Sequence, residues 1–157
     1  MSRDASTYVA LSGGVGGAKL SLGLARRLGE RLSIVVNTGD DFQHLGLHIS
    51  PDVDTALYTL AGLVNEDTGW GRRDETWTFM GALTKLGGPT WFKLGDGDLA
   101  THVDRTIRLA AGETATMGRP LASSAWRRPG TARIGSTLSQ GLDGQMTMPA
   151  SVGAARA

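Results

Sequence analysis

The residues that could do chemistry begin with four glycines in five positions, Gly13, Gly14, Gly16 and Gly17, followed by Lys19. Backbone without Cβ atoms can come very close to a ligand. A glycine segment that opens a helix also aims free N–H groups and the positive end of the helix dipole at one spot, which suits an anion and above all a phosphate. Asn37, Asp40 and Asp41 stand further along, in Asn-Thr-Gly-Asp-Asp. Two adjacent carboxylates beside a phosphate site point to magnesium, an ion that takes oxygen ligands together with substrate phosphates. Any single Asn or Asp in such a run also reads as turn chemistry.

The remaining candidates are weaker. Asp52 falls in the first turn expected after Ser50-Pro51, and helix-start electrostatics account for it. Asp54 is less easily explained, because one acid already serves that helix end. Trp70 lies between Gly69 and Gly71, as a loop anchor or as a stacking surface for a planar ligand. Lys93, Asp96 and Asp98 cluster in Lys-Leu-Gly-Asp-Gly-Asp. His44 and His48 are four apart with no third His or Cys nearby, so they are expected to pack in a loop rather than bind metal. Arg72 and Arg73 read as solvated charges.

The elements that must position these residues follow from periodicity. Residues 8–11 and 32–36 read as short buried strands. Between them Leu20, Leu24 and Leu28 repeat at helical spacing, with Gly29 as the stop. A strand, a glycine loop, a helix and a strand make a βαβ unit with parallel strands and a right-handed crossover. In such sheets ligands bind beyond the carboxyl ends of the strands, which places Asn37, Asp40 and Asp41 on the same rim as the glycines. A helix after Ser50 buries Val53, Leu57, Leu60 and Val64. Another carries Trp77, Met80, Leu83 and Leu86 on its inner face. Residues 91–94 read as a strand, and a helix over 99–111, capped by Asp98, presents Leu99, Val103, Ile107 and Ala110, with His102 turned away from that stripe. Residues 8–112 therefore read as one α/β unit. Residues 113–157 are rich in Gly, Ala, Ser, Thr, Arg and Pro with weak periodicity; they are expected to be disordered or the product of a shifted reading frame.

Composition narrows the classes. A 157-residue chain with 40% hydrophobic and 20% charged residues is expected to be a globular domain. A net charge of +1 argues against a nucleic-acid binder. The absence of cysteine excludes thiolate metal sites and disulfides and suits a cytoplasmic protein. No run approaches a membrane span or a signal peptide. The glycine segment lacks the Gly-Lys-Ser/Thr of a P-loop and the spacing of Gly-x-Gly-x-x-Gly, and Asn37 replaces the acid that ends the second strand of nicotinamide enzymes. No nucleophile elbow is present. What remains is a nucleotide or diphosphate handled with a divalent cation.

Five motifs in order carry a resemblance: Ser12 to Lys19, Asn37 to Asp41, Ser50 to Thr55, Gly69-Trp70-Gly71, and Lys93 to His102. Together they resemble the 2-phospho-L-lactate transferase family, which acts in the biosynthesis of the deazaflavin coenzyme factor 420. The resemblance implies a Rossmann-like parallel sheet with flanking helices, magnesium, and transfer of a phospholactyl or phosphoenolpyruvyl group from a guanosine diphosphate-linked donor to the 5′-hydroxyl of the deazaflavin Fo, with release of GMP. It implies Asp54 and Lys93 as deazaflavin contacts, with Trp70 stacking on the ring. Gly13, Gly14, Gly16, Gly17, Lys19 and Asn37 are then expected to hold the donor diphosphate, and Asp40 or Asp41 to hold magnesium. A homodimer is considered as well.

Two departures stand out. Gly97 replaces the Arg of the family's Lys-Leu-Gly-Asp-Arg-Asp, and the family's later Ser-Asp-Asp-Pro motif does not appear, so the fold is expected to be truncated. The alternatives are a noncatalytic nucleotide-binding regulator of the same fold and an inactive fragment. Asp40-Asp41-Phe42-Gln43 in place of Asp-Asp-Gly-Gly-Ser-Ser-Gly favours the transferase over the regulator.

Overall fold

The computed structural model describes residues 6–112 and, for the backbone alone, 133–136. Strand β1 (Tyr8–Ser12) leads into helix α1 (Gly14–Leu28), a 3-10 turn (Gly29–Arg31) and strand β2 (Leu32–Val36). The two strands pair in parallel from Tyr8↔Leu32 to Ser12↔Val36, as the βαβ reading requires; β2 is buried as expected, but Tyr8, Val9 and Leu11 of β1 are exposed, because no described element covers that edge strand. Gly29 closes α1 at φ 56°, a conformation that costs glycine nothing. Arg133–Ser136 form a further strand, β5, on the free edge of β2, giving a parallel sheet in the order β1-β2-β5. The expectation for 113–157 otherwise lies outside the described residues.

The main core sets Leu32, Ile34 and Val36 of β2 against Ala18 and Ala25 of α1 and against Ala56 and Leu60 of the next long helix, α2 (Pro51–Ala61). Alanines at the crossing let both helices lie close to the strand. Removing a side chain as deeply buried as Ile34 would forfeit roughly 1.5–3 kcal/mol of burial. Leu24 and Leu28 pack at the margin of this core, but Leu20 is exposed. The inner face of α1 is Ala18, Ser21 and Ala25, and Leu20, about 200° round the helix from Ala18, points the other way.

Residues 44–49, expected as a loop, belong to a hairpin of β3 (Phe42–His44) and β4 (Leu47–Ile49). Its two-residue turn has φ 55° at Leu45 and 74° at Gly46, the positive values that match strand twist. A second core joins Ile49 with Met80 of helix α3 (Thr78–Lys85) and with Leu94. Residues 91–94 are not a strand, because no neighbouring strand takes up their backbone. Trp91 and Phe92 instead pack against Phe42 and His44, with ring centroids 5.1–5.9 Å apart. Trp77 is half exposed rather than a core residue, and Leu86 is exposed.

Helix α4 (Asp96–Ala110) departs furthest from its pattern. It begins at Asp96, before the expected Leu99, and its buried residues are Thr101, His102 and Arg105. Val103 and Ile107 of the apolar stripe are 39% and 63% exposed. Among the described residues no helix is long and apolar enough to cross a membrane.

Candidate functional site

The N-terminus of α1 differs from those of α3 and α4 in being open. Gly13 precedes it in extended backbone, with no side-chain cap and no acidic residue in the first turn. The first N–H groups of α3 and α4 are capped by side chains instead, those of α3 by Asp96 and those of α4 by Glu75 from the loop before α3. Asp96, the first residue of α4, accepts hydrogen bonds from the backbone N–H groups of Thr78 and Phe79, both at 3.0 Å. Glu75 accepts from the N–H groups of Gly97 and Asp98, both at 2.8 Å. The hydrogen bond from Thr76 leads the contacts that hold the Asp96 carboxyl below its ordinary range. The start of α2 has no side-chain cap either but carries Asp52 and Asp54 in its first turn, so among the long helices the first-turn donors of α1 suit an outside anion best.

Gly14 has φ 62°, and a Cβ on Gly17 would come within 2.8 Å of Ser12 Oγ. That hydroxyl, at the carboxyl end of β1, is buried without a hydrogen-bond partner. Gly16 faces open space and Lys19 is exposed. Gly69 approaches Val15 so closely that a Cβ there would lie 3.2 Å from Val15 Cγ1. This brings the Trp70 loop against the glycine segment, with Trp70 59% exposed.

Asn37 ends β2 beside that segment; its backbone N–H donates to the Ser12 carbonyl at 2.8 Å. Its side-chain amide nitrogen donates to Asp52 Oδ2 at 2.9 Å and to Asp40 Oδ2 at 3.2 Å, while its oxygen accepts from the N–H of Gly39. The two carboxylates thus converge on one nitrogen. Asp52 Oδ2 would also lie 3.2 Å from a Cβ on Gly13, so the carboxylate sits at the mouth of the glycine segment. Asp52 lies in the first turn of α2, as its helix-start reading expects, and it also stands beside the carboxyl end of β2.

Asp41 turns away from this pair. Its Oδ2 accepts from Ser50 Oγ at 2.7 Å and meets His48 Nε2 at 3.1 Å, whereas its Oδ1 is buried with no hydrogen bond.

Asp54 is 6% exposed and lies between α2 and α4. Both its oxygens are taken by Arg105, Oδ1 by Nη2 and Oδ2 by Nη1, the latter at 3.0 Å. Burial pushes the Asp54 carboxyl above its ordinary value, and Arg105 and His102 oppose this. Arg105 Nη1 also lies 3.1 Å from His102 Nδ1. His102 Nε2 lies 3.3 Å from Asp98 Oδ2. Tyr58 donates to Asp98 Oδ1 at 2.7 Å. Burial alone would raise Asp98, but the contacts from His102 and Tyr58 outweigh it and its carboxyl sits below the ordinary range. Burial drives the Tyr58 hydroxyl far up, which keeps it a donor. Asp54, Asp98 and His102 are close enough to surround an ion. Arg105 already occupies that role for Asp54.

Lys93 is exposed and lines a cavity of about 400 Å³ with Trp77, Met80, Gly81, Thr84 and Thr90. The structure therefore gathers Gly13, Asn37, Asp40 and Asp52 at one mouth, sets Trp70 on the loop against it, and gives Asp54 and Lys93 separate surroundings.

The family profile of 2-phospho-L-lactate transferase CofD matches residues 8–126. A phosphoenolpyruvate transferase of Kitasatospora aureofaciens is 48% identical over 107 residues, which cover 66% of this chain and 33% of that protein. The phosphoenolpyruvate transferase of Streptomyces avermitilis is 49% identical over 106 residues, with the same coverage. That of Mycobacterium tuberculosis is 49% identical over 117 residues, covering 65% of this chain and 35% of its own. The match thus spans about a third of the length of these relatives.

Proposed function

The chain belongs to the 2-phospho-L-lactate transferase family, and from that premise we propose that it carries the diphosphate-binding part of a phosphoenolpyruvyl or phospholactyl transferase. The donor in this reading is guanosine diphosphate-linked, and the acceptor is the ribityl 5′-hydroxyl of the deazaflavin Fo. The acceptor oxygen bonds to the phosphorus that bears the acid, the bridge to the second phosphorus breaks, GMP leaves, and the hydroxyl proton is released. Such a transfer depends on positioning and charge neutralisation more than on a covalent nucleophile.

The observation that carries the reading is the open N-terminus of α1 with Asp40 and Asp52 at its mouth. Carboxylates beside an anion cradle repel the anion unless a cation lies between them. Asp40 and Asp52, which converge on Asn37, offer oxygen ligands to magnesium at that mouth, whereas Asp41 is turned to Ser50 and His48. The pair would hold the ion, which when bound neutralises diphosphate charge. The first-turn N–H groups of α1 bind the diphosphate, and Asn37 orients the two carboxylates. Lys19 adds a positive charge from the surface of the same helix. Trp70 offers a stacking face beside the glycine segment. The cavity at Lys93 and Trp77 suits a planar acceptor bearing an acidic group. Asp54, enclosed by Arg105, contributes to the acceptor side by anchoring α4 rather than through an open carboxylate.

Calorimetric titration of the full chain with GDP and magnesium, and separately with Fo, tests the reading. Magnesium-dependent GDP binding, lost in Asp52→Asn, is expected. A chain that melts cooperatively yet binds neither ligand would overturn it.

A further inference from the structure

Helix α3 carries a glycine in its interior, Gly81, that the fold does not ask for. Its N–H donates to the Trp77 carbonyl at 3.0 Å, in the regular helical pattern. Its φ is not positive, and a Cβ built there meets no heavy atom within 4 Å. Alanine would therefore fit without strain. Glycine inside a helix is the less stable choice, because it loses the most backbone freedom on folding. Nor does α3 need it as a hinge. The start of the helix is clamped by Asp96, which accepts from the N–H groups of Thr78 and Phe79. Its end is tied by the N–H of Leu86, 3.2 Å from the Ala82 carbonyl.

Gly81 lines the cavity of about 400 Å³ together with Trp77, Met80, Thr84, Thr90 and Lys93. Trp77, Met80, Gly81 and Thr84 stand at i, i+3, i+4 and i+7, so they share one face of α3. The Thr84 hydroxyl donates to the Met80 carbonyl at 2.7 Å and is satisfied within the helix. This wall is therefore a half-exposed indole, a thioether, a threonine with no hydroxyl proton to offer, and bare backbone at 81. The other lining residues, Thr90 and Lys93, follow α3 in the chain and add a hydroxyl and a positive charge. An apolar wall beside a cationic one suits a planar ring with an acidic group on its edge.

We propose that Gly81 is a specificity-determining residue of this cavity: the missing side chain leaves the depth between Trp77 and Thr84 that a fused aromatic ring system needs, and lets the ring lie against the backbone of α3. This rests on the acceptor reading of the cavity. A side chain at 81 enters the space that the ring would fill, so binding should fall with the size of that side chain.

Calorimetric titration of the full chain with Fo, alongside thermal melts followed by circular dichroism, tests the proposal. Gly81→Ala is expected to raise the melting midpoint, since alanine is the better helix former, and to weaken Fo binding. Gly81→Leu should weaken it further, by about 10-fold or more, because a single methylene in a fitted pocket already decides about 10-fold. Ala82→Leu adds bulk one residue on, outside the cavity lining, and should leave Fo affinity unchanged. Unchanged Fo affinity in a cooperatively melting Gly81→Leu chain would overturn the proposal, as would an equal loss in Ala82→Leu. A Gly81→Ala chain less stable than the native one would overturn it too, because the glycine would then serve the fold. Fo binding lost in Lys93→Ala but kept in Gly81→Leu would remove the role of Gly81 and leave the acceptor reading standing. A native chain that melts cooperatively and binds no Fo would overturn the acceptor reading, and the proposal with it. Should Gly81→Leu fail to fold, Gly81→Ala is read for the same fall in affinity.

Discussion

Asp52 accepts a 2.9 Å hydrogen bond from the side chain of Asn37, fifteen residues earlier, and the same amide nitrogen holds Asp40. One neutral donor thus keeps two carboxylates side by side at the mouth of the glycine segment. Asn37→Ala should free them to move apart. The expected result is a loss of magnesium-dependent GDP affinity of about 10- to 100-fold, as for other groups that orient ligands, with little change in the thermal midpoint. Parallel calorimetric titrations of both chains check it.

Glycine at 17 is required by a close approach rather than by its dihedral angle. A Cβ there meets Ser12 Oγ at 2.8 Å and the Ser12 backbone at 3.2 Å. Gly17→Ala should cost about 1–3 kcal/mol through overpacking. Adding Ser12→Ala should recover part of the loss, since only the closest of these contacts is with the hydroxyl. Urea denaturation of the two variants gives both numbers.

The side-chain capping of α3 and α4 makes a pH prediction. The folded-state carboxyl of Asp96 titrates below its ordinary value of 3.8. A depressed carboxyl contributes stability that is present above its unfolded pKa and is lost as pH falls through the folded one. Asp96→Asn should therefore be less stable than the native chain at pH 6. The gap should close as the pH drops below about 3.8, the ordinary value. Glu75→Ala, which uncaps α4, should cost about 0.5–2 kcal/mol at neutral pH. Thermal melts across a pH series read both effects.

Arg105 and Asp54 should show the asymmetry of a buried ion pair. Arg105→Met strands the Asp54 carboxylate and should cost about 3–5 kcal/mol. Asp54→Leu combined with Arg105→Met should recover much of that loss, because no charge is left buried. Chemical denaturation of the single and double variants separates these outcomes.

Local constraints made much of the first half of the fold legible. The strand–helix–strand order of 8–36, the positive-φ stop at Gly29 and the Ser50-Pro51 helix start depend on residues near one another in sequence, so pattern and backbone sterics were enough for the elements, though not for the burial of Val9, Leu11 and Leu20, which are exposed. The same holds for the glycine segment, whose helix-opening position follows from its place between a strand and a helical repeat.

Long-range pairing decided the rest. Asp52 reads as a dipole complement until Asn37 is seen beside it. Residues 91–94 have the composition of a strand, but strand formation needs a neighbour, and the tertiary structure gives them an aromatic cluster instead. Helix α4 is the clearest case. An apolar stripe at Val103 and Ile107 predicts its own burial only if nothing outbids it, and Arg105 has a carboxylate waiting 51 residues away. By itself, the sequence determined that a βαβ unit would present glycines and acids on one rim, because those features are local. Which acids converge there, and which one is sealed behind Arg105, was decided by contacts between α2, α4 and the hairpin, whose energies depend on partners that no short window contains.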